Sequence, residues 1–370
     1  MNRPPQRNAV NPKIPPKAVN KAGPSVKSEN NKAKEAKSSF TFGQKIGCFG
    51  VIILLITAVV LILQACSEGI LFKGNKTKEN ITETEQEFKL GTATYFFATD
   101  STKEMPDNIE SPYAVLISRK DGQIVAERNA DEKVYPASLT KIMTLIVGYE
   151  NGNLDDSYIF TNSDLYPLYA ENASVAGFKE GEEVTLKDLL YGLILPSGAD
   201  GAVGIANLVA GGEEEFAELM NEKAAEMGLK NTHFANSSGL HDENQYSTVT
   251  ELATILDYAL QYDFCREVLS TYKYTTSSTN INADGIVLTS DIQSKMEGSE
   301  SGVAHISGGK TGYTIEAKNC LASFGTVDET GDEYIIVTCG VSGEFKPIFD
   351  AINIYRDFFG DGSTYTGPGT

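Results

Sequence analysis

Ser138 and Lys141 form the pair of residues in this sequence that is best suited to nucleophilic catalysis. A serine hydroxyl attacks a carbonyl carbon only when a neighbouring base takes its proton. A lysine amine can be that base when burial or a second cation lowers its pKa. Residues three positions apart share one face of a helix, so Lys141 would stand beside Ser138. Taken alone, the spacing is common and is typical of a capping serine followed by a solvated lysine.

A helix is predicted to position this pair. Pro136 favours a helix start, because its fixed φ suits the first turn and its missing N–H is not needed there. The residues after Lys141 form an apolar stripe at helical spacing: Ile142, Met143, Leu145, Ile146 and Val147. Ser138 would then lie at the helix N-terminus, where negative charge on its oxygen is stabilised.

Two further segments carry groups that could complete such a site. Ser197 lies within 195–202, a turn between two helical patterns. Lys310 lies within 308–314, where paired glycines precede Lys-Thr-Gly and allow close approach of backbone or ligand. Read singly, Ser197 could be an ordinary turn residue and Lys310 a surface lysine.

Charge is distributed unevenly along the chain. The net charge of the 370 residues is −19, yet residues 1–45 carry ten basic and two acidic residues, a net of +8. The acidic remainder argues against nucleic acid as a partner of the main domain, because phosphates would be repelled. The five cysteines include no Cys-x-x-Cys pair, and with only three histidines no zinc spacing arises, so neither metal nor cofactor is expected.

The N-terminal third is predicted to anchor the protein in the cell membrane. Residues 1–45 are polar and basic, which is typical of a disordered tail. Residues 46–65 contain no formal charge and are long enough to span a bilayer once as a helix. The positive-inside rule then places the N-terminus in the cytoplasm and the main domain outside. A cleaved signal peptide and lipoprotein processing at Cys66 are the alternatives, and polar residues 66–108 would form a stalk.

The folded domain is predicted at residues 109–362, followed by a flexible tail at 363–370. Its first elements are strands at 113–117 and 123–128, joined by a Lys-Asp-Gly turn as a hairpin.

Helical patterns dominate residues 156–262, whereas strands are predicted at 317–327 and 334–341, with a closing helix at 346–359. Strands at both ends with helices between them predict an α+β fold, in which one antiparallel sheet is shared by the two chain ends around an inserted helical subdomain.

The chemistry-bearing segments, in this order, resemble the three motifs of the penicillin-recognising active-site serine enzymes: Ser138-Leu139-Thr140-Lys141, Ser197-Gly198-Ala199 and Lys310-Thr311-Gly312. The flanking residues 189–198, 216–239 and 310–321 look like those of the low-molecular-mass D-alanyl-D-alanine carboxypeptidases. The resemblance covers about residues 110–360 and implies the serine β-lactamase/transpeptidase-like fold.

The resemblance implies a serine-type carboxypeptidase that acts on peptidoglycan and is acylated by β-lactam inhibitors. Ser138 would attack the carbonyl between the two terminal D-alanines of a stem pentapeptide, and Lys141 would accept its proton. Ser197 would relay a proton toward the leaving D-alanine. Water would then hydrolyse the acyl-serine intermediate.

The same resemblance implies that the Lys-Thr-Gly segment binds substrate. Lys310 would place positive charge near the peptide carboxylate and help to keep Lys141 neutral, while Thr311 would hydrogen-bond that carboxylate. Gly312 leaves the strand open, and the backbone N–H groups of Ser138 and Tyr313 would form the oxyanion hole.

One residue departs from the family pattern, because Ala199 stands where these enzymes usually carry asparagine. Alanine cannot supply the amide that contacts the substrate backbone, so turnover and substrate range are open. Two other functions therefore stay under consideration. A β-lactamase of the same fold would need a well-placed glutamate such as Glu218, and a wall-binding module would have lost turnover.

Cys320 and Cys339 lie almost symmetrically about the predicted turn at 328–332 and should be neighbours across a hairpin. An extracellular location would permit a disulfide between them. Two small buried thiols packed in the sheet are the other interpretation.

Overall fold

A central sheet with helices on both of its faces organises the residues that this computed structural model describes, 93–368. The strands are β1 Lys103–Glu104, β2 Tyr113–Ser118, β3 Ile124–Arg128, β4 Ser157–Ile159, β5 Glu183–Thr185, β6 Lys273–Thr275, β7 Val287–Thr289, β8 Ala304–Thr314, β9 Lys318–Val327 and β10 Glu333–Val341. Six of them form the central sheet in the order β1-β3-β2-β10-β9-β8, and β4–β5 and β6–β7 form two small antiparallel pairs.

The central sheet is mixed, which corrects the prediction of a purely antiparallel sheet. The pairs β3–β2, β2–β10, β10–β9 and β9–β8 are antiparallel, but β1 runs parallel to β3. The cause is topological. β3 lies between β1 and β2 in the sheet, and since the β2–β3 hairpin reverses the chain, β3 runs opposite to β2 and in the same direction as β1. β1 has only two residues and both are exposed, so its sequence carries no apolar alternation.

The strands β2, β9 and β10 of this sheet are largely buried on both faces, and alternate residues of β2 pack into different cores. In β2, Val115 and Ile117 belong to the core that contains the helical insertion. Ala114 and Leu116 belong to a second core on the other face. The closing helix packs on that second face, where Ile348, like Leu116, is fully buried.

The helices, in chain order, are α1 Thr140–Asn151, α2 Asn162–Ala170, α3 Leu186–Ile194, α4 Ala199–Ala210, α5 Glu213–Glu226, α6 Val249–Ala259, α7 Asp263–Ser270, α8 Asp291–Met296 and α9 Lys346–Phe359. All but α9 lie between β3 and β8, so the α+β arrangement with an inserted helical part is present. The hairpin β2–β3 forms as predicted, and α9 has the predicted bounds because a periodic apolar stripe follows Pro347 at its start.

The proposed tail 1–45, membrane helix 46–65 and most of the stalk lie outside the described residues. Between residues 93 and 368 none of the helices is both long and apolar enough to cross a membrane.

At the other end, Tyr365 differs from the expected free tail. It is 5% exposed, its N–H donates to Asn353 at 2.6 Å, and its hydroxyl donates to Ser299 at 2.8 Å.

Cys320 and Cys339 lie on the neighbouring strands β9 and β10, as the symmetry of their positions predicted. Both are buried free thiols in the structure, so of the two interpretations it is the packed pair that is present. A hydrogen bond between them and burial raise the pKa of Cys339 well above its ordinary value.

Candidate active site

Ser138 lies in a 3-10 turn, Ala137–Leu139, that runs directly into α1. Pro136 has φ −73° and precedes the turn, whereas Ala137 has φ +47°, in the left-handed region. That strained residue adjoins the serine, which is common where a backbone is shaped for chemistry. Gly239 packs directly against this turn, and only a glycine fits there because a Cβ would overlap the carbonyl oxygen of Ala137.

Lys141 faces Ser138 from the first turn of α1, and the distance from its Nζ to the Ser138 Oγ is 3.1 Å. Its Nζ also donates a hydrogen bond to the carbonyl oxygen of Ser238. A neutral amine has two hydrogens and one lone pair. Donation to Ser238 therefore orients the group and leaves the lone pair available for the serine proton.

The environment favours this neutral form of the amine. Lys141 is 2% exposed, and burial lowers its pKa well below the ordinary value for lysine. The positive charge of Lys310 lowers it further, while the carboxylates of Asp200 and Glu213 act in the opposite direction. Desolvation and the second cation dominate, so Lys141 can act as a base near neutral pH.

Lys310 lies on β8, whose residues pack against the turn that carries Ser138. Burial lowers the pKa of Lys310 to about 8, although Asp291 opposes this effect. Its Nζ donates to the carbonyl oxygen of Thr311 at 2.9 Å. A Cβ at Gly312 would lie 3.1 Å from the Ser138 nitrogen, so glycine allows β8 to approach the nucleophile this closely.

A cleft of about 620 Å³ runs alongside these groups, and Ser197, Thr311, Gly312 and Tyr313 all contribute to its lining. Ser197 is 8% exposed and has φ +62°, in the turn before α4. The structure thus gathers Ser138, Lys141 and Lys310 by direct contact or charge, and places Ser197 and the Thr311–Tyr313 segment at the cleft beside them.

Ala199 begins α4 and is buried, while its neighbour Asp200 points away from the cleft. The Asp200 carboxylate accepts hydrogen bonds from the backbone N–H groups of Ala176, Gly177 and Phe178 at 2.7, 2.8 and 3.1 Å. Asp200 therefore fixes the preceding loop and does not take over the role of the missing asparagine amide.

Sequence reasoning assigned no role to Ser238, although its carbonyl oxygen holds Lys141. Asn236 closes the local turn by accepting from the Gly239 N–H at 2.8 Å, and Glu213 accepts from the Ser237 hydroxyl at 2.7 Å. The Asn-Ser-Ser-Gly run signals a turn. Its contact with Lys141 involves a backbone atom and leaves no signature in residue type.

Asp291 is a second residue that sequence reasoning missed. The Thr311 hydroxyl donates a hydrogen bond to its carboxylate, whereas the resemblance implied that this hydroxyl binds the substrate carboxylate. Residues 93–368 contain no cluster of three or more histidine, cysteine or acidic side chains arranged to hold a metal ion.

Most of the described part of the chain is similar to proteins that are already known. The family described as D-alanyl-D-alanine carboxypeptidase matches residues 99–342. The chain is 36% identical over 218 residues to the D-alanyl-D-alanine carboxypeptidase DacF of Bacillus subtilis, a match of 58% of this chain and 54% of the relative. With DacC of Escherichia coli it is 36% identical over 178 residues, 46% and 44% of the two chains. The chain thus spans about half the length of these two relatives.

A D-alanyl-D-alanine carboxypeptidase of Streptomyces sp. is 31% identical over 232 residues, 60% of this chain and 79% of the relative. Among solved structures, the crystal structure of a Streptomyces DD-transpeptidase superposes with a TM-score of 0.58 at 30% identity, covering 67% of this chain and 97% of the other. A Mycobacterium tuberculosis D-alanyl-D-alanine carboxypeptidase at 22% identity has a TM-score of 0.59 over 69% of this chain and 94% of its own, a likeness of fold.

Proposed function

The chain belongs to the D-alanyl-D-alanine carboxypeptidase family, and we propose that it removes the terminal D-alanine from peptidoglycan stem pentapeptides through an acyl-serine intermediate. One observation carries the proposal. The Nζ of buried Lys141 lies 3.1 Å from the hydroxyl oxygen of Ser138, and burial, followed by the charge of Lys310, lowers the pKa of that amine well below its ordinary value.

In the proposed reaction, Ser138 Oγ attacks the carbonyl carbon between the two D-alanines as Lys141 takes its proton. The C–N bond then breaks, and the nitrogen of the leaving D-alanine receives the proton held by Lys141, for which Ser197 is the proposed relay. Lys141, neutral again, takes a proton from the water that attacks the resulting ester and returns it to Ser138 Oγ as the ester C–O bond breaks. The N–H groups of Ser138 and Tyr313 are the proposed oxyanion donors.

The two alternatives receive less support. Glu218, the candidate for rapid β-lactam hydrolysis, is exposed on α5, where no hydrogen bond links it to Ser138 or Lys141. A wall-binding module without turnover would have no need for a buried lysine of lowered pKa beside a serine hydroxyl.

We further propose that residues 46–65 anchor the chain once in the cell membrane, with residues 1–45 in the cytoplasm. The support comes from the uncharged run and the basic residues before it. The proposed ligands, stem peptide and β-lactam, would then meet the domain at the outer face of the membrane.

The deciding experiment is the intact mass of the protein after treatment with a penicillin, combined with D-alanine release from a stem pentapeptide. Stable addition of one drug molecule at Ser138, with D-alanine release that is lost in Ser138→Ala, is expected. Rapid drug turnover would indicate a β-lactamase, and the absence of both adduct and release would indicate a binding module.

A further inference from the structure

Asp291 occupies the place where the carboxylate of the peptide is expected to bind. Its carboxylate accepts the hydrogen bond of the Thr311 hydroxyl, and both residues line the same cleft as Ser197. A threonine hydroxyl has one hydrogen to donate. While that hydrogen is donated to Asp291, none remains for a bound carboxylate, and the charge of Asp291 would repel a second anion.

Asp291 is held between the two walls of the cleft. Its backbone N–H donates to the carbonyl oxygen of Leu195 at 2.9 Å, two residues before Ser197. Its carboxylate accepts a hydrogen bond from Thr311 on β8, at the other side of the cleft. The backbone of Asp291 is thus fixed near Ser197, while its side chain is 36% exposed and has room to move away from Thr311.

Lys295 is a second partner of this carboxylate and contacts the same oxygen as Thr311. The distance from Lys295 Nζ to Asp291 Oδ2 is 3.0 Å, one helical turn along α8, and Glu344 lies 3.4 Å from the same Nζ. Burial raises the pKa of Asp291, but the Thr311 hydrogen bond and the charge of Lys295 outweigh it, so the pKa lies below its ordinary value. Asp291 is therefore an anion at neutral pH and would remain paired if it left Thr311.

We propose that Asp291 is a built-in competitor of the substrate: it holds the Thr311 hydroxyl in the free enzyme and yields it to the terminal carboxylate of the peptide, while Lys295 retains the displaced side chain. The proposal rests on the proposed function and makes Asp291 a specificity-determining residue. It weakens the binding of peptides that end in a carboxylate, relative to peptides with an uncharged end.

The test compares two substrates, a pentapeptide ending in D-alanyl-D-alanine and the same peptide with a C-terminal amide. Asp291→Asn keeps the shape of the side chain and removes its charge. Its KM for the acid should fall about five- to tenfold, because close like charges cost on the order of 1 kcal/mol in water. Its KM for the amide should stay unchanged. Asp284→Asn, on the exposed turn before β7, removes the same charge and should change neither KM.

Lys295→Met examines the second part of the proposal. Without the ammonium that retains the displaced carboxylate, the KM for the acid should rise about fivefold. In the double variant with Asp291→Asn this rise should shrink, because there is no longer a carboxylate to retain. Equal changes of KM for acid and amide, or a higher KM for the acid in Asp291→Asn, would overturn the proposal, with thermal unfolding verifying that each variant is folded.

A failure of the proposed function is recognised separately. If the unmodified protein releases no D-alanine, the same comparison is made as the ratio of the dissociation constants of acid and amide, measured calorimetrically on the full chain. If the acid-to-amide ratio of dissociation constants falls at least fivefold in Asp291→Asn, the role of Asp291 is supported. An unchanged ratio refutes it.

Discussion

Lys141 donates a hydrogen bond to the backbone carbonyl of Ser238, and this bond holds the amine beside Ser138. The remaining face of the amine is directed at Ser138, 3.1 Å away. A base that is positioned by a backbone atom depends on the fold around it as much as on its own identity.

The acylation rate should show a bell-shaped dependence on pH. Lys141 must be neutral, so the rate rises with pH through its lowered pKa, and Lys310 must be charged, so the rate falls above its pKa of about 8. Lys310→Met should lower the maximum about a hundredfold. It should also move the acidic limb to higher pH, since the cation that lowers the pKa of Lys141 is gone.

The measurement is the second-order rate of labelling by a fluorescent penicillin from pH 5 to pH 10. Lys120→Met is the control, because Lys120 is exposed on the β2–β3 turn, where it pairs with Asp332 at 3.0 Å. An acidic limb that stays in place in Lys310→Met would show that the two lysines are not coupled.

Gly239→Ala should damage the nucleophile turn, whereas Gly181→Ala should not. Both glycines have a positive φ, +82° and +78°, but a Cβ at Gly239 would overlap the Ala137 backbone and a Cβ at Gly181 meets nothing within 4 Å. In Gly181→Ala, backbone strain alone should lower the free energy of unfolding by about 1 kcal/mol and leave the rate of penicillin labelling unchanged. In Gly239→Ala, the free energy of unfolding should fall by more than about 2 kcal/mol, and the labelling of Ser138 should be slower. Urea unfolding and labelling rates distinguish the two variants. Equal stability and equal labelling rates would contradict the contact between Gly239 and the Ala137 backbone.

Ala199→Asn should raise kcat/KM for D-alanyl-D-alanine peptides by about tenfold, since one hydrogen bond made in the transition state contributes about 1–3 kcal/mol. The gain should vanish for a depsipeptide that lacks the amide N–H contacted by the side chain. Thermal unfolding is needed alongside, because position 199 is 2% exposed. The same gain with both substrates, or a slower variant with unchanged stability, would argue against a missing substrate contact.

Glu333 should make the fold sensitive to acid. It pairs with Arg119 and with Arg266, the latter at 2.8 Å. Burial raises its pKa, but the hydrogen bonds from the two arginines outweigh burial and hold the pKa below the ordinary 4.5. A lowered folded-state pKa means stability that is present above the unfolded-state value and is lost as pH falls below it.

Glu333→Gln should therefore cost about 2–3 kcal/mol of unfolding free energy at neutral pH and less at pH 4. Asp332→Asn, which breaks the pair with the exposed Lys120, should leave the unfolding free energy almost unchanged, because solvent screens that pair. Urea denaturation at both pH values measures the difference, and a cost for Glu333→Gln that is the same at both would exclude the ionic explanation.

The parts of the fold that the sequence predicts are those with a strong local pattern. The apolar stripe and Pro347 define α9, and the two runs on either side of the polar turn at 328–332 define β9 and β10. The two-residue strand β1 and the six-residue helix α8 have too few residues to produce a periodic signal, so they were not predicted.

The candidate site divides in the same way. Ser138, Lys141 and Lys310 belong to short motifs of fixed spacing and could be identified from the sequence alone. The Ser238 carbonyl has no side-chain signature, and the contact of Asp291 with Thr311 joins residues 20 apart through tertiary packing. The contacts made by Ser238 and Asp291 orient the motif residues. They depend on how segments that are distant in the sequence pack together.

The position of β2 beside β10 has a consequence for how the protein is made. Tyr113 pairs with Cys339, so the middle of the sheet joins segments that are more than two hundred residues apart in the chain. Long-range pairing of this kind slows folding, because the intervening loop must be closed before the contact forms. During synthesis, β2 can pair with β3 at once, but its other edge stays without β10 until nearly the whole domain has been translated, and over that interval this apolar edge is exposed to aggregation.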